Sequence, residues 1–247
     1  MTTGAWLEIV HQPHRLELGG KPLPAFTPFH VPPGRSTFIG GFGQPHGVDV
    51  GPGTVTLPGE PRLVASGSLF QLGSIELRVL SSPLHTSAWP VEVERPRTAD
   101  DDALRVVSDQ LLERGYELGH RFAARSEDDR SWLGPFRLED VTRWRLGLVD
   151  ELRLSHLPSR WASALALRHL AVFSTLRSLV FAVEWVFEVR AFLEALIAQG
   201  GLPWLERLEV VVKSDRAQTA QLDRLVLDGR AAAFPRLVDL KLSPPTD

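Results

Sequence analysis

The side chains of this chain best suited to moving protons or holding metal are its eight histidines, since it has no cysteine. That absence excludes disulfides, thiolate metal sites and cysteine nucleophiles. His11 and His14 stand three apart, with Glu8 and Glu17 close by. Such a set could offer two imidazoles and a carboxylate to a metal ion. Pro13 breaks the helical spacing the pair would need, and no third ligand is in reach, so no metal site is expected. A second group is His46 and Asp49, within Gly41-Phe42-Gly43-Gln44-Pro45-His46-Gly47-Val48-Asp49. With His30, they could line a small-ligand or hydrolytic pocket in a loop of the N-terminal half. The glycines do not have a phosphate loop's spacing, and Gly51-Pro52-Gly53 continues the loop where a helix would have to begin. No phosphate site, catalytic residue or cofactor is therefore expected.

The composition narrows the function classes. The 247 residues carry 43% hydrophobic and 23% charged side chains, the mix of a globular chain. Net charge is −3, and 24 of the 27 basic residues are Arg. A chain without basic excess is not expected to bind nucleic acid directly. No Asn is present, so no N-glycosylation acceptor exists. Met1–Val10 lacks a basic stretch followed by an apolar core, and the most apolar run, Leu176–Phe187, carries Arg177 and Glu184. A cytoplasmic protein with no membrane segment is expected. Trp132, Trp144, Trp161, Trp185 and Trp204 read as core, and Glu127-Asp128-Asp129 as a solvated loop.

Residues 1–97 hold 13 of the 20 Gly and 13 of the 19 Pro. Short alternating apolar segments lie between these breakers, as in an antiparallel β module. The expected strands are Trp6–Val10, Arg15–Leu18, Ser36–Ile39, Gly53–Leu57, Arg62–Ala65, Ser68–Leu72 and Ile75–Leu80, the last two turning at Gly73-Ser74. A sandwich or barrel is the expected outcome. Pro83, Pro90 and Pro96 mark a connector. Asp100–Asp102 then suit a helix N-terminus, and Leu104, Val107 and Leu111 give it one apolar face. Gly115 ends that helix, and a second, Glu117–Arg125, completes a hairpin over 98–130.

Residues 131–247 repeat an L-x-x-L-x-L pattern. It occurs as Val149, Leu152, Leu154; Leu176, Leu179, Phe181; Leu205, Leu208, Val210; and Leu237, Leu240, Leu242. The intervals of 27, 29 and 32 residues suit one strand and one helix per repeat. Ser159–Phe173 and Glu188–Gln199 fit the intervening helices. Leu222, Leu225 and Leu227 match the strand template as well as a helix face, and the helix keeps the period regular. Residues between the aliphatic positions face away from the helices. One column is Glu151, Ser178, Arg207, Asp239; the next is Arg153, Val180, Glu209, Lys241. Arg207 beside Asp239, and Glu209 beside Lys241, are expected as cross-strand ion pairs. They could simply keep a parallel sheet soluble, or they could form a mixed-charge partner surface.

Residues 100–245 resemble the bacterial leucine-rich-repeat proteins that begin with a repeat-companion helical hairpin. The resemblance rests on Asp100-Asp101-Asp102, Leu104-Arg105-Val106-Val107, Asp109, Leu111-Leu112-Glu113-Arg114-Gly115, Glu117 and Phe122, and on Trp144–Leu154. Val107-Ser108-Asp109-Gln110-Leu111 departs from the family's Tyr-Ala-Asp-Trp-Leu by lacking its Trp. The Asn or Cys that the family places after each strand is also missing here. The resemblance implies a repeat fold and protein binding, and carries over no catalytic residue. Thr37-Phe38-Ile39-Gly40-Gly41, Val48-Asp49-Val50 and Leu72-Gly73-Ser74-Ile75-Glu76-Leu77 resemble a forkhead-associated β-sandwich. Gly41 stands where that family has its phosphate-binding Arg, and no Ser-x-x-His follows. The resemblance therefore implies the fold without phosphothreonine binding.

The expected fold class is α+β: a Gly/Pro-rich antiparallel β module followed by a short leucine-rich-repeat-like solenoid. The expected function is non-enzymatic protein–protein interaction, as an adaptor or subunit of a hetero-complex. Its contact residues would be the eight of the two columns.

Overall fold

The computed structural model describes residues 4–12, 16–40, 43–57, 63–65, 67–90, 92–95, 100–125, 132–157, 160–212 and 216–243. They form an α+β chain with two compact units. One comprises the residues up to Ala88 together with Gly115–Leu118; the other comprises Trp89–Arg114 and the residues from Gly119 onward.

Among the described residues the first unit contains ten strands: β1 (Ala5–His11), β2 (Glu17–Leu18), β3 (Lys21–Pro22), β4 (Phe29–Val31), β5 (Gly34–Ile39), β6 (Pro45–Gly51), β7 (Thr54–Thr56), β8 (Leu63–Val64), β9 (Leu69–Leu72) and β10 (Ile75–Leu80). They form two antiparallel sheets, ordered β4-β1-β10-β9 and β3-β2-β5-β6-β7-β8. Alternation fixes which side is inside. Leu7, Ile9, Leu77 and Val79 from one sheet and Phe38, Val48, Val50 and Val55 from the other belong to a single buried core. Each of these side chains leaves water at a gain of about 1.5–3 kcal/mol, which is what holds two narrow sheets together.

Strand β6 corrects the loop reading of His46 and Asp49. Pro45 and Gly47 resemble loop punctuation, but Val48 and Val50 bury on one face and draw the whole segment into the sheet. His46 pairs with Phe38 and Asp49 with Arg35 along β5. Gly41 and Phe42, like His14, Arg15, Arg62 and Glu127–Asp129, lie outside the described residues.

The second unit carries the helices. Helix α1 (Asp101–Glu113) starts where the Asp100 side chain accepts a hydrogen bond from the Ala103 amide at 2.7 Å. Helix α2 (Glu117–Ala124) crosses it closely. A Cβ on Gly119 would lie 2.8 Å from Leu112 atoms, and the Ser108 hydroxyl donates to the Gly119 carbonyl at 2.9 Å. Then follow β11 (Val141–Arg145), β12 (Leu148–Leu154), α3 (Arg160–His169), β13 (Ser178–Val183), α4 (Val186–Ala198), β14 (Arg207–Val212), α5 (Arg216–Ala233) and β15 (Asp239–Ser243). The strands form one sheet in chain order.

Strands β12 to β15 are parallel, with Leu152, Leu179, Leu208 and Leu240 in register. Crossovers between parallel neighbours are right-handed, so successive strands added in one direction place all three helices on one face. Burial agrees: Leu152, Leu154, Leu179, Phe181, Leu208 and Val210 are buried, and Phe181 meets Phe192 of α4 edge-on at 5.3 Å. Thr219–Leu227 lies within α5, so the strand alternative for that stretch does not apply. Helix α4 begins two residues earlier than its pattern suggests, because Val186 and Val189 already bury. Strand β11 is an antiparallel edge that the repeat pattern does not contain.

Candidate interaction surface

The face of this sheet opposite α3, α4 and α5 bears the two columns. Glu151, Ser178, Arg207 and Asp239 are register partners, as are Arg153, Val180, Glu209 and Lys241. All eight side chains expected to bind a partner are therefore brought together. Ser178 and Val180, on the central strand between longer charged neighbours, are buried; Arg153 and Lys241 are exposed at the flanks.

The ion pairs on this face differ in part from those expected. Arg207 Nε approaches Asp239 Oδ2 at 3.7 Å, as its register implies. Glu209 and Lys241 are register partners but do not pair. Glu209 is bound by Arg207 two residues earlier on its own strand, and Lys241 by Asp239 at 3.6 Å, likewise along the strand. Side chains two apart on a strand share a face, and here these partners lie nearer than the cross-strand ones. The hydrogen bond to Glu209 raises the Arg207 pKa above its ordinary value. Arg153 makes no ion pair among the described residues. With three carboxylates and three cations, the face is electrostatically mixed and does not suit a phosphate backbone.

A tighter cluster borders the columns, at the start of the strands. The Asp150 carboxylate is bound by Arg177, at 2.7 and 3.2 Å, and by Arg143 from β11. Burial alone would push the Asp150 pKa up. The hydrogen bonds and charge of Arg177, then of Arg143, outweigh it and hold the carboxyl below its ordinary value. Asp150 is not an aliphatic template position, so the repeat pattern gave it no role. The signal available was an acid between two Arg one repeat or one hairpin away.

A second polar knot lies at the C-terminal end of α3. Arg95 sits over the rings of Trp89 and Trp204, 5.8 and 5.4 Å from their centroids, and donates to the Arg168 carbonyl at 3.2 Å. Burial, and then the neighbouring Arg168, push the Arg95 pKa down to about 10. Burial followed by Arg168 and Arg95 lowers His169. A cation that binds the last carbonyls of a helix complements its negative end. This cluster completes the helix.

A cleft of about 240 Å³ runs beside α1, lined by Asp101, Arg105, Asp109 and Arg125 over Leu104 and Phe122. Arg125 meets Asp101 at 2.8 Å in an exposed pair. The alternating charges give this cleft no preferred sign of ligand.

The histidine readings find little support in the geometry. His30 lies edge-on to Trp6 at 5.2 Å, on a strand of one sheet, while His46 stands on the other sheet against Gly40 and Gly73. Glu8 accepts hydrogen bonds from Thr86 and Ser87. Among the described residues, no three His, Asp or Glu side chains gather as metal ligands would. No described helix is long and apolar enough to cross a membrane.

No family model, curated protein or solved structure matches this chain. Its site must be read from its own geometry.

Proposed function

We propose that this protein is a non-enzymatic interaction module, an adaptor or accessory subunit of a larger cytosolic complex. Its second unit is read as a short leucine-rich-repeat-like solenoid, and its partner is a protein that docks on the sheet face opposite α3, α4 and α5. One observation carries this reading: eight residues from four strands, spread over about ninety positions of sequence, stand in two ordered columns on one face of the sheet. A rigid sheet fixes the spacing of its charges, and fixed spacing is what lets a surface discriminate between partners. Exposed charges of this kind contribute little to stability, roughly 0–1 kcal/mol per pair. Arg153 supplies an exposed cation with no counter-charge among the described residues, on which a partner carboxylate can close.

The test is co-purification from the native source with wild-type chain and with an Arg153→Glu, Arg207→Ala, Glu209→Ala variant. Loss of a stoichiometric partner, with the thermal melt retained, supports the reading. If every partner stays bound, the strand face is not the contact surface.

A further inference from the structure

Strand β15 is the last strand of its sheet and pairs with β14 alone among the described residues. The Asp239 amide donates to the Glu206 carbonyl at 3.0 Å, so Asp239 turns its backbone groups toward β14. These groups alternate along a strand, and those of Leu240 and Leu242 therefore point to the free edge. This end of the sheet is also incompletely covered. Leu152, Leu179 and Leu208 are fully buried, whereas Leu240, in register with them, is partly exposed, as is Leu242. Val238, just before the strand, is 80% exposed. On α5, a Cβ at Gly229 would lie 2.9 Å from Ile197, so that side of the helix packs on α4. Leu227 stands two residues from Gly229, about 200° round the helix. It faces away from α4, toward the free edge, and is 50% exposed.

We infer that the free edge of β15 pairs antiparallel with β15 of a second copy of this chain, about a two-fold axis through Leu240. An unpaired strand edge is a template for such pairing, and here the charges select the occupant. The segment Val238-Asp239-Leu240-Lys241-Leu242 is complementary to its own reverse. With Leu240 opposite Leu240, each Asp239 stands opposite a Lys241 and each Val238 opposite a Leu242. The two Leu240 residues exchange both of their backbone hydrogen bonds. Asp239 and Lys241 already meet along their own strand at 3.6 Å. The four charges of the two strands alternate in sign around a square, so these internal contacts persist. The nearest registers that also match outward backbone groups centre on Asp239 or on Lys241. Each of those sets two like charges directly opposite, which is destabilising. An axis normal to the sheet keeps both α5 helices on one face, each turning its Leu227 side to the other. A uniformly acidic or basic strand from another protein would leave one of the two charges unmatched. This pairing uses the strand edge and does not rest on the columns being a partner surface.

The experiment follows the full chain by sedimentation equilibrium. Wild type is expected as a concentration-dependent dimer. Lys241→Glu sets acid against acid and Asp239→Lys sets base against base. Each is expected to weaken the dimer at least about tenfold, with its circular dichroism unchanged. Mixed one to one, the two variants are expected to form a heterodimer, because each copy then meets its opposite. Register is read separately. The chain has no cysteine, so Leu240→Cys introduces a single one on the axis. Opposite Cα atoms there are about 5.5 Å apart, within reach of a disulfide. This variant is expected to cross-link on oxidation, and Leu242→Cys, opposite Val238, is not. The inference is overturned if wild type sediments as a monomer throughout, or if Lys241→Glu dimerises as tightly as wild type. It is also overturned if the mixture of the two folded variants stays monomeric, or if Leu242→Cys cross-links and Leu240→Cys does not.

Discussion

Asp150 and Arg177 meet at three points, two between side chains and one between backbones. Arg177 Nε donates to Asp150 Oδ1 at 2.7 Å and Nη2 to Oδ2 at 3.2 Å, while the Arg177 amide donates to the Asp150 carbonyl at 3.0 Å. Arg143 adds a bond from the antiparallel strand. One buried carboxylate therefore ties β11, β12 and the start of β13 together, ahead of the columns that those strands carry.

Asp150→Asn keeps the shape of this junction but removes its charge. It is expected to cost about 1–3 kcal/mol, the range for hydrogen bonds to a charged group. Only the Asp is buried: its side chain is 1% exposed, against 34% for Arg177 and 54% for Arg143, so solvent screens part of the pair. Urea unfolding monitored by circular dichroism checks this, and an unchanged midpoint would show that the junction is not stabilising.

The same carboxylate sets an acid limit. Its folded pKa lies below the ordinary 3.8, so near that pH the unfolded chain binds protons that the folded chain does not. Stability from this group is complete above the unfolded value and declines as pH falls through 3.8 toward the folded value. Asp150→Asn is expected to flatten that part of the stability–pH curve while leaving neutral behaviour shifted by a constant. An unaltered acid limb in the variant would assign the decline to other carboxylates.

His169 reads the cationic knot at the end of α3 directly. Burial, Arg168 and Arg95 all disfavour its charged form, so it should titrate below 6.5. Since the folded pKa is depressed, protonation makes folding less favourable as pH falls below 6.5. Removing positive charge with Arg168→Gln should move the NMR titration midpoint of the His169 ring upward. A midpoint that does not move would mean that Arg168 has no part in setting it.

Glu8 is the corresponding anchor of the first unit. It is fully buried and accepts from the Thr86 hydroxyl at 2.6 Å, the Ser87 amide at 3.1 Å and the Ser87 hydroxyl at 2.9 Å. Arg78 Nη1 lies 3.8 Å from it. Glu8→Gln turns one acceptor oxygen into a donor facing other donors, at a cost of about 2–4 kcal/mol. Amide hydrogen exchange at Ser87 should accelerate along with the loss of stability. Protection unchanged at Ser87 would show that the carboxylate does not hold this segment.

The two kinds of site were unequally legible in the sequence. The aliphatic template marks the residues that must bury against helices, and the residues between them then have to face outward. That is why Glu151, Ser178, Arg207 and Asp239 align from the sequence alone. Pairing within the columns was not fixed by the same logic, because Glu209 had a nearer cation along its own strand than across. Glu8 was legible only as a neighbour of His11, since its partners lie 78 and 79 residues away. Strand β6 was hidden by its Pro and Gly, although Val48 and Val50 carried the alternation. Trp185 read as core because tryptophan usually is; only the burial of Val186 on the opposite side turns it outward.

Gly200 and Gly201 end α4, and they separate two effects that a sequence cannot. The Gly200 amide donates to Ile197 and the Gly201 amide to Leu196, both at 2.9 Å, and both residues have left-handed φ, 87° and 65°. An alanine at either position bears the left-handed penalty of about 1–2 kcal/mol. Only at Gly201 does it also collide. A Cβ there would lie 2.1 Å from the Ala233 carbonyl oxygen and 2.4 Å from its Cα, whereas at Gly200 the nearest atom is Arg168 Nη2 at 3.8 Å. Backbone cannot swing aside as a side chain can, so Gly201→Ala must push the end of α5 away. That end leads into β15, whose Asp239 and Lys241 complete the charged columns. Gly200→Ala is expected to cost about 1–2 kcal/mol and lower the melting temperature by about 2–8 °C. Gly201→Ala is expected to cost more than about 3 kcal/mol. It should also expose β15 amides to hydrogen exchange before the rest of the sheet. Equal effects of the two substitutions would mean that α5 does not close against this turn.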